Sequence, residues 1–274
     1  MSDRQGQLEQ IARHIRIQIL KMIAAAKSGH PGGSLSAVEI LTTLYFAAMN
    51  IDPRQPGKVD RDRFILSKGH AAPVLYAALA RRGFFPETDL SRLRRIGCHL
   101  QGHPHRLDTP GIEASTGSLG QGLSMACGMA IGLKLSGITA SVYTLIGDGE
   151  SQEGQIWEAA MTAGFRKLNN LCVFLDYNNL QIDGRVSDIK DIKPVRQKWQ
   201  AFNWRVAEID GHSFTEIGQA IAAFKREKIK PTMVIARTIK GKGVSFMEDN
   251  VDFHGTPPSP DQLQLALKEL GDGE

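Results

Sequence analysis

Asp148 lies in Gly147-Asp148-Gly149, directly after an apolar run, and Glu150 and Glu153 follow within six residues. A carboxylate between two glycines can serve a hard cation, because the glycines let the chain turn sharply and admit a bulky anion near the backbone. Asn178 occupies a comparable place after a second apolar run, in Asp176-Tyr177-Asn178-Asn179-Leu180. If the two runs are neighbouring strands, their ends lie about 4.8 Å apart and Asp148 and Asn178 reach one ion. A carboxylate, an amide oxygen and the Leu180 carbonyl make an all-oxygen set that leaves positions for phosphate oxygens and water, as magnesium prefers. Asp148 as a simple helix cap is the competing reading of this segment alone.

Histidines extend the pattern. His30, His70, His103, His212 and His254 all stand in glycine-bearing turns. Several such imidazoles on one fold suit an anionic or polyhydroxylated ligand. Lys68 and Lys240 flank similar turns and can neutralise phosphate.

These residues need a scaffold that gathers strand ends. Residues 141–146 and 171–176 are short, apolar and rich in β-branched types, with a helical pattern over 153–167 between them. That is a βαβ unit with parallel strands buried on both faces. Further strands are expected at 64–66, 205–209 and 232–239. Helices are expected at 8–27, 34–49, 71–82, 120–136, 214–228 and 260–270. The polar, glycine-rich stretch 97–118 is long for a loop, which marks it as functional. The fold class is α/β: one doubly wound, mainly parallel sheet over 1–274, with helices on both faces. Ligands of such sheets bind beyond the carboxyl ends of the strands.

The 274 residues are 42% hydrophobic and 23% charged, with a formal charge of +4. The basic residues are scattered, and Arg81, Arg82, Arg92, Arg94 and Arg95 read as a solvated helix face, so nucleic acid is not expected. Three separated cysteines, Cys98, Cys127 and Cys172, offer neither a zinc motif nor a disulfide framework. No apolar run approaches membrane-spanning length and no signal-peptide pattern opens the chain, so a cytoplasmic protein without membrane association is expected.

Gly147-Asp148-Gly149 followed by Asn178-Asn179 resembles the thiamine-diphosphate signature. The chain as a whole resembles the N-terminal, diphosphate-binding part of transketolases. The matching blocks are SGHPGGSLSAVEIL (28–41), DRFILSKGHAAPVLYA (62–77), GHP (102–104), PGIEASTGSLGQGLSMACGMA (110–130), GDGESQEGQIWEA (147–159), DYNNLQIDG (176–184) and KGKG…HGTPP (240–258).

The resemblance implies thiamine diphosphate and Mg²⁺, with Ca²⁺ or Mn²⁺ as substitutes, the metal being held by Asp148, Asn178 and the Leu180 carbonyl. It implies cofactor contacts from His70, Gly117, Leu119, Gly149, Lys240 and His254. It places His30, His103 and His254 toward the sugar hydroxyls and the reacting carbon, and Glu153 and Glu158 in a buried carboxylate chain coupling two active sites. The implied reaction is transfer of a two-carbon ketol unit from a ketose phosphate to an aldose phosphate. No segment is left for a pyrimidine-binding domain. One subunit of a split transketolase is therefore expected, active with a C-terminal partner chain in an α₂β₂ assembly.

The expected setting is carbohydrate metabolism, either the pentose phosphate pathway or catabolism of an unusual sugar phosphate. A 2-oxo acid dehydrogenase subunit is disfavoured by the SGHPGG, SKGH and HGTP blocks, and deoxyxylulose-phosphate synthase by its single-chain organisation. A non-catalytic cofactor-binding or regulatory subunit is disfavoured by the intact metal and histidine sets.

Overall fold

The computed structural model describes residues 2–272. In chain order, helices α1 (Ser2–Ala26), α2 (Pro31–Leu35) and α3 (Val38–Thr43) precede strand β1 (Arg63–Leu66) and helix α4 (Ala72–Arg82). Helix α5 (Gln121–Leu135) leads to β2 (Val142–Gly147), α6 (Gly154–Phe165) and β3 (Leu171–Tyr177). A two-stranded hairpin, β4 (Leu180–Gln181) and β5 (Gly184–Arg185), is followed by α7 (Val186–Lys190) and α8 (Val195–Ala201). The chain then forms β6 (Arg205–Asp210), α9 (Phe214–Arg226), β7 (Thr232–Arg237) and α10 (Pro260–Glu269).

The main sheet runs β1-β2-β3-β7-β6, and every pairing in it is parallel. Alternate side chains divide its two faces, as the period of two requires. Tyr143, Leu145, Cys172, Phe174, Val234 and Ala236 join the core beneath α1, α3, α4 and α9. Val142, Ile146, Val173, Leu175, Met233 and Ile235 join the core beneath α5, α6 and α8. Burial on both faces is why these strands read as continuous apolar runs. The expected α/β doubly wound fold is the one observed.

Most expected elements fall within a few residues of their observed bounds. The helix expected at 34–49 is instead broken, into α2, α3 and a π-helical turn over Leu44–Ala48. Pro31 opens α2, where its missing N–H costs nothing. The β4–β5 hairpin, α7 and α8 are not legible in the sequence, because each is too short to carry a periodic signal. The basic group is not one helix face. Arg81 and Arg82 end α4, Arg92 ends a short 3₁₀ turn over Glu87–Arg92, and Arg94 and Arg95 stand in the turn beyond it.

Cys98, Cys127 and Cys172 are all buried free thiols. Among the described residues, no helix is long and apolar enough to cross a membrane.

Candidate active site

β2 and β3 are direct neighbours, with Gly147 opposite Asp176. That register sets the Asp148 turn beside the Asn178 turn at the carboxyl end of the sheet. Asp148 is 3% exposed; one carboxylate oxygen accepts from the Gly149 N–H at 2.8 Å and the other from the Asn179 N–H. The Asn178 side-chain oxygen accepts from the Leu180 N–H at 3.0 Å, and the Leu180 carbonyl accepts from Lys240 Nζ at 2.9 Å. Burial pushes the Asp148 carboxyl up to about 7, with the Asp176 charge adding to the effect. A cation beside it would reverse that shift. Among the described residues no three His, Cys, Asp or Glu side chains converge on a metal position. The available set is therefore one carboxylate, one amide oxygen and one carbonyl, which suits a hard divalent cation already carrying phosphate oxygens.

Three imidazoles gather across the cleft. The ring centres of His30 and His70 lie 5.2 Å apart, His70 and His254 5.3 Å, and His30 and His254 5.6 Å. Burial is the main cause of lowered basicity in all three. His30 falls to about 4 and His254 to about 3, and His70 lies well below its ordinary value. Neighbouring cationic groups, Arg94 and Lys240 for His30, and Lys240 and Lys68 for His254, push the same way. All three are neutral at neutral pH, so each has one ring nitrogen that accepts a hydrogen bond and one that donates. His254 Nδ1 accepts from the Lys240 ammonium at 2.7 Å. Lys240 is itself drawn down to about 8, chiefly by burial. The Nδ1 of His30 is buried and has no hydrogen-bond partner among the described residues.

The cleft has a volume of ≈ 290 Å³. It is lined by His30, His70, His254, Lys68, Lys240 and the Asp148, Asn178 and Leu180 set, together with Gly117, Leu119, Gly149 and Glu153. Gly117 adopts φ +146°, and a side chain on Gly69 would stand 2.8 Å from its backbone nitrogen. The two loops thus meet through bare backbone. The glycine-lined wall, the hard oxygen set and the neutral histidines fit a diphosphate, its cation and a polyhydroxylated substrate.

Two expected site residues do not line the cleft. His103 sits at its rim, where a side chain on Gly117 would meet its ring at 3.0 Å. Glu158 lies on the exposed face of α6, and Glu153, although it borders the cleft, is also exposed on this chain. Neither carboxylate is buried within the chain itself.

Lys68 lines the cleft, with its ammonium also engaged by the framework. It is 2% exposed and its ammonium is bound to the Asp176 carboxylate and, at 2.7 Å, to the Gly33 carbonyl.

Two carboxylates carry structural work that sequence reasoning missed. Asp176 is fully buried and also accepts from Ser36 Oγ at 2.6 Å and from Thr238. Its signal is present in the sequence, as a charged residue closing an apolar strand. Glu150, by sequence, is only a favourable charge near a helix start. It is 3% exposed and accepts from Ser67 Oγ at 2.5 Å, the Gly120 N–H at 2.8 Å and the Gly147 N–H at 2.9 Å. It brackets the ends of β1 and β2 to the start of α5.

Comparison with known proteins agrees with this geometry. The family model "Transketolase, thiamine diphosphate binding domain" matches residues 8–273. The chain is 48% identical over 270 residues to the 6-deoxy-6-sulfo-D-fructose transketolase subunit of Clostridium sp. (strain MSTE9), covering 98% of each chain. It is 42% identical over 267 residues to an apulose-4-phosphate transketolase subunit of Actinobacillus succinogenes, covering 97% of this chain and 96% of that one. Among solved structures, Campylobacter jejuni transketolase superposes with TM-score 0.91 at 33% identity, over 96% of this chain and 42% of that one. Leishmania mexicana transketolase gives TM-score 0.91 at 32% identity, over 96% of this chain. The chain spans 41–42% of the length of these two solved transketolases. With a match across nearly its whole length and the site at its sheet's carboxyl edge, this chain belongs to the transketolase family, as a thiamine diphosphate-binding domain.

Proposed function

We propose that this chain is the diphosphate-binding subunit of a two-chain transketolase. It acts with a partner polypeptide carrying the pyrimidine-binding domain, and an α₂β₂ assembly places the exposed Glu153 and Glu158 at a subunit boundary. The observation that carries the reading is that Asp148, Asn178 and Leu180 line one cleft together with three neutral histidines. Relatives of the same length bear names that call them transketolase subunits.

When bound, thiamine diphosphate supplies the nucleophilic carbon and electron sink that cleavage beside a ketose carbonyl needs. Asp148, Asn178 and the Leu180 carbonyl hold the cation, with Mg²⁺ preferred because one carboxylate and two neutral oxygens leave room for phosphate and water. Lys240 adds positive charge to the diphosphate side. His30, kept neutral by burial, can take a proton from a substrate hydroxyl and return it. His254, whose Nδ1 already accepts from Lys240, presents its other nitrogen as an N–H donor to a substrate oxygen. His70 lines the cofactor side. His103, at the rim, meets the donor's hydroxyls.

The donor is proposed to be an unusual ketose phosphate or sulfonate rather than a common pentose-phosphate intermediate. The 48% identity to a subunit named for 6-deoxy-6-sulfo-D-fructose favours that class. Three buried free thiols suit a reducing cytoplasm.

The test is reconstitution. Co-expressed with a pyrimidine-binding partner and given thiamine diphosphate and Mg²⁺, the pair is expected to transfer a two-carbon unit from one of a panel of ketose phosphates and 6-sulfo-ketoses. Full turnover by the single chain would overturn the two-chain reading.

A further inference from the structure

Arg94 occupies an unusual position. Its backbone is left-handed, at φ +61°, a conformation that residues other than glycine rarely adopt. Its N–H donates to the Leu100 carbonyl at 2.9 Å, closing a turn before the 102–104 loop. The side chain then crosses to a different part of the fold, where Nη1 donates to Ser28 Oγ at 2.9 Å, two residues before His30. On the way the guanidinium lies against Gly102, the residue before His103. A methyl group at Gly102 would approach its central carbon to 3.0 Å and two of its nitrogens to 3.2 Å. A Cβ there would crowd the guanidinium in this position.

The His103 loop has a second anchor of another kind. Tyr76, fully buried on α4, donates its hydroxyl toward the Gln101 and His103 carbonyls, at 2.9 and 3.0 Å. Tyr76 fixes the loop to the core. Arg94 alone, of the two, also reaches the segment leading into His30.

We propose that Arg94 is a positioning residue for the two histidines at the cleft mouth: its guanidinium ties the Ser28–His30 segment to the Gly102–His103 loop and so fixes the spacing of the two imidazoles. The proposal rests on the reading that His30 and His103 face the donor's hydroxyls. Charge acts in the same sense as geometry. Burial is the main influence on both rings, and Arg94 is the next for each. His30 also faces His103, Lys240, His70 and His254, whereas His103 faces Arg94 as its one resolved charged influence. A cation that joins both loops therefore holds the imidazoles in place and keeps them in the proton-accepting form. Lysine can supply the charge. It lacks the planar fork that lets arginine lie on one loop while bonding the other.

The experiment uses Arg94→Gln and Arg94→Lys in the complex with the partner chain, together with ¹³C-histidine titrations of the full chain, assigned with His30→Gln and His103→Gln. Arg94→Gln is expected to raise KM for the ketose donor about tenfold, with a smaller change in kcat and unchanged thiamine diphosphate affinity. It is also expected to move the His103 titration upward. Arg94→Lys should keep the depressed titration but leave most of the rise in KM, since it restores the charge without the fork that joins the two loops. The rise in KM should be the same for the phosphorylated donor and its unphosphorylated form. A rise confined to the phosphorylated donor would mean that Arg94 binds the substrate anion directly, and would overturn the positioning role. Wild-type KM and titrations in Arg94→Gln would overturn it as well. If the wild-type complex shows no ketol transfer, the functional reading fails separately, and the titrations alone decide whether Arg94 governs the two rings.

Discussion

Lys68 and Asp176 form an ion pair beneath the cleft, with side chains 3% and 0% exposed. Lys68 follows β1 and Asp176 lies on β3, so the pair spans the β2 strand that delivers Asp148. Burial alone would raise the Asp176 carboxyl, yet Lys68, Ser36 and Thr238 together hold it below the usual range. The ammonium and carboxylate are spent on each other and on fixing the strand ends.

Lys68→Met should therefore act first on stability. It leaves a buried carboxylate without its cation, which costs about 3–5 kcal/mol. Denaturant unfolding checks this, and Lys68→Met combined with Asp176→Leu should recover part of the loss. A single variant as stable as the wild type would contradict the buried pairing.

Glu150→Gln should lower stability by about 1–3 kcal/mol, because one of the three donors would face an amide N–H₂ in place of an acceptor. The start of α5 should loosen with it. Thermal melting and hydrogen exchange at Gly120 and Gly147 give the readout.

Asp148→Asn keeps the shape of the side chain and removes the charge. Titration calorimetry with Mg²⁺ and thiamine diphosphate should show metal-dependent binding lost, while the fold stays intact by circular dichroism. Unchanged cofactor affinity would remove Asp148 from the proposed ligand set.

His103→Ala should slow ketol transfer by the reconstituted complex about 10²-fold or more, as removal of a proton-transfer or hydrogen-bonding group does. Cofactor affinity should stay within about twofold, since the ring sits at the rim beyond Gly117. A collapse of cofactor affinity would place His103 on the cofactor instead.

Glu39 gives a pH prediction. Burial pushes its carboxyl up, but His212 and Arg16 outweigh burial and hold it below the ordinary 4.5. Its hydrogen bonds are 2.9 Å from His212 Nδ1 and 2.5 Å from Arg16. A carboxyl depressed in the folded state contributes stability that is fully present above its unfolded value and lost as pH falls through its folded value. Stability should therefore decline below about pH 4.5, and Glu39→Gln should flatten that decline in acid unfolding curves. The effect reaches the site, because His212 Nε2 accepts from the Ile239 N–H at 2.9 Å, next to Lys240.

Much of the site was legible because its residues sit where strands end. Asp148 and Asn178 each follow an apolar run, and the carboxyl ends of parallel strands meet at one edge whatever else the fold does. Glu150, Asp176 and Arg94 were not legible in their actual roles. Each acts through partners distant in sequence: Ser67 and Gly120 for Glu150, Ser36 and Lys68 for Asp176, Ser28 for Arg94. No local pattern announces such a partner.

The sequence by itself determined the α/β class, the order of the five main strands and the longer helices, the metal-ligand candidates and the histidine-bearing turns, since periodicity and punctuation are local properties of the chain. The tertiary structure decided the strand order β1-β2-β3-β7-β6, and with it which turns become neighbours. It also divided the charged residues between the cleft and the framework. A lysine or glutamate in a glycine-bearing turn looks the same in either role until folding brings up the group that neutralises it.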